Sequence, residues 1–231
     1  MSSTLPTESS SPSALQYPFP ANWSVADVQH HLGGIPLERI RVVPPLGCAT
    51  EEDVINLEVH EDRLCELENG ILVEKPMGWY ESLLVVLIVT KLNTFVRAND
   101  LGKVFGADGT IRILPGIVKI PDVSFISWDR WPKEKLPRRP IPALVPDMVV
   151  EVLSETNTQK EMELKLNSYF QAGARLVWYI DPDTRSAKSY TSPTTVTEVA
   201  TTGQLDGGQV LRGFTLSLKT LFEQADRQGP A

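Results

Sequence analysis

The chain has 231 residues, 42% hydrophobic and 22% charged, enough for one large domain with extensions and ordinary for a globular protein. A formal net charge of −7 argues against a broad surface that lives on non-specific phosphate contacts, though not against a local basic site. Two cysteines, Cys48 and Cys65, without CxxC or Cys/His spacing, argue against a disulfide framework or a zinc site and point to reduced thiols in a cytoplasmic protein.

Residues 1–22 are rich in Ser and Pro and read as a disordered tail. They lack the basic and apolar regions of a signal peptide. Residues 23–49 read as an N-terminal arm: a short helix ended by Gly33-Gly34, then a Pro-broken loop or extended segment. Residues 50–231 are expected to form one domain. Thr50, with Glu52 and Asp53 behind it, starts a helix. A strand near Leu64 to Leu67 turns at Asn69-Gly70 and returns as the hairpin strand ILVEKP. Residues 80–100 give the strongest helix, apolar around nearly its whole circumference, and so expected against a sheet. Its apolar run 83–89 falls well short of the ~20 residues of a membrane span, so no membrane association is expected.

The strand series KVFG, GTIRIL and IVKIPDVSFIS follows, then a basic, Pro-rich loop over 129–146. Next come the strand DMVVEVLS, a helix TQKEMELKLNSYFQAG closed by Gly173, and the strand ARLVWYIDP. RSAKSYTS, TVTEVAT and QVLRGFTLSL read as hairpin strands before a short helix at LKTLFEQ. Mixed strands and helices in this order favour one α/β or α+β domain.

The chemistry concentrates where carboxylates interrupt apolar strands. On the strand DMVVEVLS, Asp147, Val149, Glu151 and Leu153 share one face, with Val150 and Val152 on the other. A buried carboxylate costs several kcal/mol unless paired, protonated or bound to a cation. Glu151 therefore pairs with a Lys or Arg, faces water on an edge, or holds a metal. Asp122, after a proline in IVKIPDVSFIS, is either a turn residue or a second acid brought beside Glu151 on a neighbouring strand. Two such carboxylates suit Mg²⁺. Lys165 borders the apolar stripe Met162, Leu166, Tyr169 and Phe170 of its helix, where it either snorkels to solvent or reaches a phosphate or an attacking water.

The segments IPDVSFIS, PDMVVEVLS, KEMELKLNSYFQAGARLVWYIDP and DGGQVLRGFTLSL resemble the Uma-two family of endonucleases within the PD-(D/E)XK, restriction-endonuclease-like superfamily, over about residues 50–224. The resemblance implies an α/β fold with a mixed β-sheet flanked by helices, here with additional β-hairpins, and hydrolysis of DNA phosphodiesters dependent on Mg²⁺ or Mn²⁺. Pro121-Asp122 matches the first acid of the motif and Glu151 the second. The position two beyond is Leu153 rather than Lys, and Lys165 on the next helix matches the displaced lysine. Glu66 in CELENG corresponds to an upstream acid. Glu81 stands about where the family often has His, and either extends the metal site or faces solvent. The implied metal ligands are Asp122, Glu151 and the backbone carbonyl near Val152, with Lys165 placing the water and Glu66 as a third acid.

Arg130, Lys133, Lys135, Arg138 and Arg139 in the basic loop are candidate contacts to a DNA backbone, with solvated loop charge as the competing explanation. Trp128 and Trp131 either stack on bases or cover a sheet edge. The alternative to a nuclease is a catalytically inactive nuclease-like fold that binds nucleic acid or assembles proteins. Cleavage of both DNA strands would suit a homodimer.

Overall fold

The computed structural model describes residues 19–20, 22–76, 78–133 and 140–229. Most of the tail expected at 1–22 lies outside these residues, as do Lys135, Arg138 and Arg139.

The arm starts with helix α1 (Val25–His31), whose N-terminus is closed by a reciprocal capping box between Ser24 and Asp27. After a single 3₁₀ turn, the two-residue strand β1 (Ile40–Arg41) follows. The segment read as a loop or extended arm is thus tied into a sheet. Helix α2 (Glu51–Glu61) begins at a second capping box, Thr50 with Asp53, as its sequence predicts. Strands β2 (Cys65–Glu68) and β3 (Ile71–Glu74) form the expected hairpin. Asn69 and Gly70 both have positive φ, 48° and 85°, as a tight two-residue turn requires.

Helix α3 (Trp79–Ala98) leads to β4 (Gly102–Phe105), β5 (Ile111–Leu114), β6 (Ile117–Lys119) and β7 (Val123–Ser127). Strand β8 (Met148–Val152), helix α4 (Gln159–Ala172) and strand β9 (Leu176–Asp181) form a β-α-β unit with β8 and β9 parallel. The chain ends in β10 (Ser186–Ser192), β11 (Thr195–Val199), β12 (Gln204–Asp206), β13 (Thr215–Ser217) and α5 (Leu218–Ala225).

The fold is mixed α/β. A five-stranded antiparallel sheet runs β1-β3-β2-β6-β5, a six-stranded mixed sheet runs β11-β10-β9-β8-β7-β4, and β12 and β13 pair separately. One face of the six-stranded sheet, with Val123, Phe125, Met148, Val150, Val152, Leu176, Trp178 and Ile180, is covered by α3 and α5 through Leu84, Val85, Ile88, Leu92, Val96, Leu221 and Phe222. Each such buried side chain is worth about 1.5–3 kcal/mol. Among the described residues α3 alone could be read as a membrane span by length and mean hydropathy (1.3), but its inner face packs like that of a core helix. On the other face of the sheet, Val149, Val177 and Tyr179 meet Met162, Leu166 and Tyr169 of α4 together with Ile111 and Ile113 from the five-stranded sheet.

IVKIPDVSFIS is two strands rather than one. β6 belongs to the five-stranded sheet and β7 to the six-stranded sheet. Pro121, which has no N–H to give a ladder, stands between them. The chain changes sheets at Ile120-Pro121-Asp122, and this seam carries the candidate site.

Candidate active site

β7 and β8 are antiparallel neighbours with Val123 opposite Val150. One step further along the same register sets Asp122 against Glu151, on the face that carries Ser124 and Val149. Opposite residues in such a ladder have Cβ atoms about 5 Å apart. The carboxylate of Asp122 accepts the Val152 N–H on Oδ2 at 2.7 Å, which fixes it beside the β8 backbone. From the other sheet, the β2–β6 register extended past Leu67↔Val118 sets Glu66 against Lys119.

Helix α4 lays three polar side chains along this seam. Glu161, Lys165 and Tyr169 are four residues apart, so they share one helix face, and all three are buried. Lys165, at the border of the apolar stripe, is buried, with its ammonium 3.1 Å from Glu66 Oε1 and 3.8 Å from Glu151 Oε2. Tyr169 donates its hydroxyl to Glu151 Oε1 at 2.5 Å. Three of the four residues expected to carry the chemistry, Glu66, Glu151 and Lys165, are thus in direct contact, with Asp122 on the adjoining strand.

Three further groups complete the cluster. The Lys75 ammonium, 3% exposed, lies 2.8 Å from Asp122 Oδ1 and donates to the carbonyls of Ile120 and Ala107 at 2.7 and 3.2 Å. Lys119 lies 3.3 Å from Glu66 Oε2 and 2.8 Å from Glu68 Oε2. Arg39 of the arm makes a two-armed bond to Glu161, at 2.7 and 3.0 Å. The sequence held one clue to each of the two lysines, a charge beside a buried strand end, but their acidic partners lie tens of residues away along the chain.

These contacts answer the question of how Glu151 is tolerated. Buried Glu66, Asp122 and Glu151 are matched by buried Lys119 and Lys165 and by the enclosed side chain of Lys75, so the acids do not depend on a metal for neutrality. The protonation of the cluster is uneven. Burial pushes the Glu151 carboxyl up to about 7, with Lys165 opposing and Asp122 reinforcing the rise. Burial works the same way on Glu66, but Lys119, Lys165 and the Ile120 N–H outweigh it and hold that carboxyl down at about 2. Lys165 is held cationic well above the ordinary range because Glu151 and Glu66 overcome the cost of burying it. Burial and the Glu151 carboxylate raise the Tyr169 hydroxyl far above its usual value, so it remains a donor.

The donor chemistry fits a hard divalent cation. Asp122 and Glu151 offer carboxylate oxygens from adjacent strands, and Mg²⁺ is commonly held by one or two carboxylates with waters and phosphate oxygens filling the remaining positions. Among the described residues no group of three acidic, His or Cys side chains gathers in a ligand cluster. Glu66 is turned toward Lys119, Lys165 and the Ile120 N–H.

Glu81 lies in the first turn of α3, its carboxylate folded back against Gly78. No hydrogen bond or ion pair among the described residues joins it to the cluster. Arg130 is held by buried Asp147 at 2.9 Å and by the Gly173 carbonyl at 2.8 Å, with its side chain partly exposed. Lys133 is exposed. Trp128 and Trp131 meet edge to face, and Trp131 stacks on Phe105 of the edge strand β4, which is the sheet-covering arrangement.

Residues 51–219 match the family model Uma2, described as "Putative restriction endonuclease". The chain belongs to the Uma2 family. A crystal structure of "a putative nuclease belonging to DUF820" from Anabaena variabilis ATCC 29413 is similar with a TM-score of 0.64 at 22% identity, covering 71% of this Uma2 chain and 92% of that one. At that identity the likeness speaks for the fold, which is nuclease-like. Comparison with curated proteins finds no match. The Uma2 match begins at residue 51, so α1, β1 and Arg39 lie outside it, although Arg39 holds the helix that carries Lys165.

Proposed function

We propose that this Uma2 chain is a divalent-metal-dependent endonuclease that hydrolyses DNA phosphodiester bonds, with Asp122, Glu151 and Lys165 as its working residues. The observation that carries the reading is the meeting of two acids on neighbouring strands with a helix-borne lysine whose charge is locked on. The restriction-endonuclease-like unit is taken to span residues 50–231.

Asp122 and Glu151 would hold Mg²⁺ or Mn²⁺, with the Val152 backbone carbonyl beside them as a further oxygen. The ion, when bound, lowers the pKa of a coordinated water and offsets charge on the phosphorane. Lys165 orients the attacking water and stabilises the developing negative charge from the Glu151 side. Tyr169 fixes the Glu151 carboxyl through its hydroxyl on Oε1 and leaves Oε2 toward Lys165. Glu66 keeps Lys165 cationic and in place, which makes it a positioning residue rather than a ligand. Lys133, with Lys135, Arg138 and Arg139, is offered as backbone contact for the DNA.

A nuclease-like module without catalysis is the second reading, favoured by the pairing of Glu66, Asp122 and Glu151 with the ammonium groups of Lys75, Lys119 and Lys165. Cleavage of supercoiled plasmid in Mg²⁺ or Mn²⁺ separates the two. Wild type is expected to nick or linearise it, and Asp122→Asn and Lys165→Met each to lose at least about 100-fold with the fold intact by circular dichroism. A wild-type chain that cleaves no DNA with either ion leaves the module reading.

A further inference from the structure

We infer that Lys75 is the resident cation of the Asp122 carboxylate and sets the affinity of the site for its divalent ion, an inference that rests on the endonuclease reading. Its ammonium sits 2.8 Å from Asp122 Oδ1, and both side chains are buried, 3% and 6% exposed. The other oxygen of Asp122 is committed to the Val152 N–H. The side of the carboxylate left for a dication is therefore the side Lys75 holds.

The ammonium does not depend on Asp122 alone. It also donates to the carbonyls of Ile120 and Ala107. One acceptor belongs to the seam and the other to the connection between β4 and β5, so Lys75 can give up Oδ1 and remain hydrogen-bonded close by. Entry of a dication then replaces one ion pair by another and leaves a fixed positive charge a few ångströms from the metal. Like charges at that range in a dry site repel strongly. Lys75 thus works in two directions. It neutralises buried Asp122 when the metal is absent, and it loosens the metal when the metal is present. Lys119 does not share this role, because it is paired with Glu66 and Glu68. Lys165 faces the other ligand, Glu151, but at 3.8 Å, and its closer partner is Glu66 at 3.1 Å, whereas Lys75 sits directly on Asp122.

Mn²⁺ binding to the metal-free full chain, read by calorimetry and by the loss of the free-ion electron paramagnetic resonance signal, tests this without any cleavage assay. Lys75→Met keeps the buried stem and removes the charge, and Mn²⁺ is expected to bind it at least about tenfold more tightly than wild type. Lys75→Arg keeps the charge and is expected to bind as weakly as wild type. The metal-free Lys75→Met chain is expected to melt lower than wild type and to recover more on adding Mn²⁺. Should Lys75→Met not fold, Lys75→Gln carries the same test, since its amide still donates to the two carbonyls. Affinity of the charge-free variant within twofold of wild type, or weaker, overturns the inference and leaves the endonuclease reading standing. Equal tightening in Lys75→Arg also overturns it, because charge is then not the cause. Absence of Mn²⁺ binding in wild type and the charge-free variant alike overturns both.

Discussion

Glu151 is a carboxyl enclosed by Tyr169, Lys165 and the strand that carries Asp122, and its burial makes the metal-free protein sensitive to pH in an unusual direction. Its folded pKa is about 7, above the ~4.3 of an unfolded glutamate. Between those values the native state holds a proton that the unfolded chain has released, so stability falls as pH rises from about 4.5 to about 7 and then levels off. Glu66 runs the opposite way. Its pKa is lowered to about 2, and the stability it contributes is present above about 4.5 and lost as pH falls toward 2. Together they place the most stable pH of the metal-free cluster near the ordinary carboxylate range. Glu151→Gln keeps the shape and an acceptor for the Tyr169 hydroxyl while removing the titration. Urea midpoints from pH 5 to 8 are expected to fall in wild type, by up to about 3 kcal/mol, and to stay nearly flat in the variant. An unchanged slope in Glu151→Gln would place the effect in another group. The acids and Lys165 were legible as residues because charges inside apolar runs stand out. Their partners Lys75 and Lys119 were not, since a charge beside a strand end is indistinguishable from solvated charge until the fold brings Asp122 and Glu66 to it.

At the scale of elements, capping boxes, the Asn69-Gly70 turn and the Gly173 helix stop fixed most boundaries from local rules alone. What local rules could not fix was membership of a sheet. The run IVKIPDVSFIS has continuous strand character, and only Pro121 signals that it divides between two sheets. The extended arm shows its sheet membership just as poorly in its sequence, because β1 is two residues long and gains its strand identity from pairing with β3. Helix α4 shows the same dependence on partners. Its face of Glu161, Lys165 and Tyr169 would be a polar stripe in isolation and is buried here because each residue meets a charge or hydroxyl partner across the seam. The Arg39–Glu161 pair is the outermost of these, with side chains 8% and 7% exposed. Arg39→Met leaves Glu161 buried with Asn157 as a remaining side-chain donor. A cost of about 3 kcal/mol is expected in urea unfolding, and the double variant Arg39→Met/Glu161→Met is expected to regain a large part of it. A loss below about 1 kcal/mol in the single variant would mean that water already reaches the pair.

The whole molecule stands on two sheets joined at the Ile120-Asp122 crossing and clamped by α4, and the arm closes that clamp from outside the residues matched by the Uma2 family. Val28 of α1, its C-cap Leu32 and, beyond it, Ile35 pack on Ile71 and Val73 of β3. Gly33, with φ of 84°, brings its backbone against α4 so closely that a Cβ there would stand 2.5 Å from the Glu161 nitrogen, and its carbonyl accepts the Thr158 hydroxyl at the cap of the same helix. The arm therefore contributes an apolar cover, a helix-cap partner and the Arg39 counter-charge to one helix, and that helix bears Lys165 and Tyr169. A chain beginning at Glu51 loses all three while retaining every residue of the acid-lysine cluster. Its urea midpoint is expected to drop by several kcal/mol in equivalent stability, as removal of buried apolar area and of one partner of a buried ion pair both act in that direction. Amide exchange should locate the damage: α4 is expected to lose protection by at least about tenfold more than α3, whose contacts lie on the opposite face of the six-stranded sheet. Equal loss in both helices would show that the arm supports the fold in general, and unchanged protection of α4 would show that its own packing on Val149, Val177 and Tyr179 suffices to hold Lys165 in the seam.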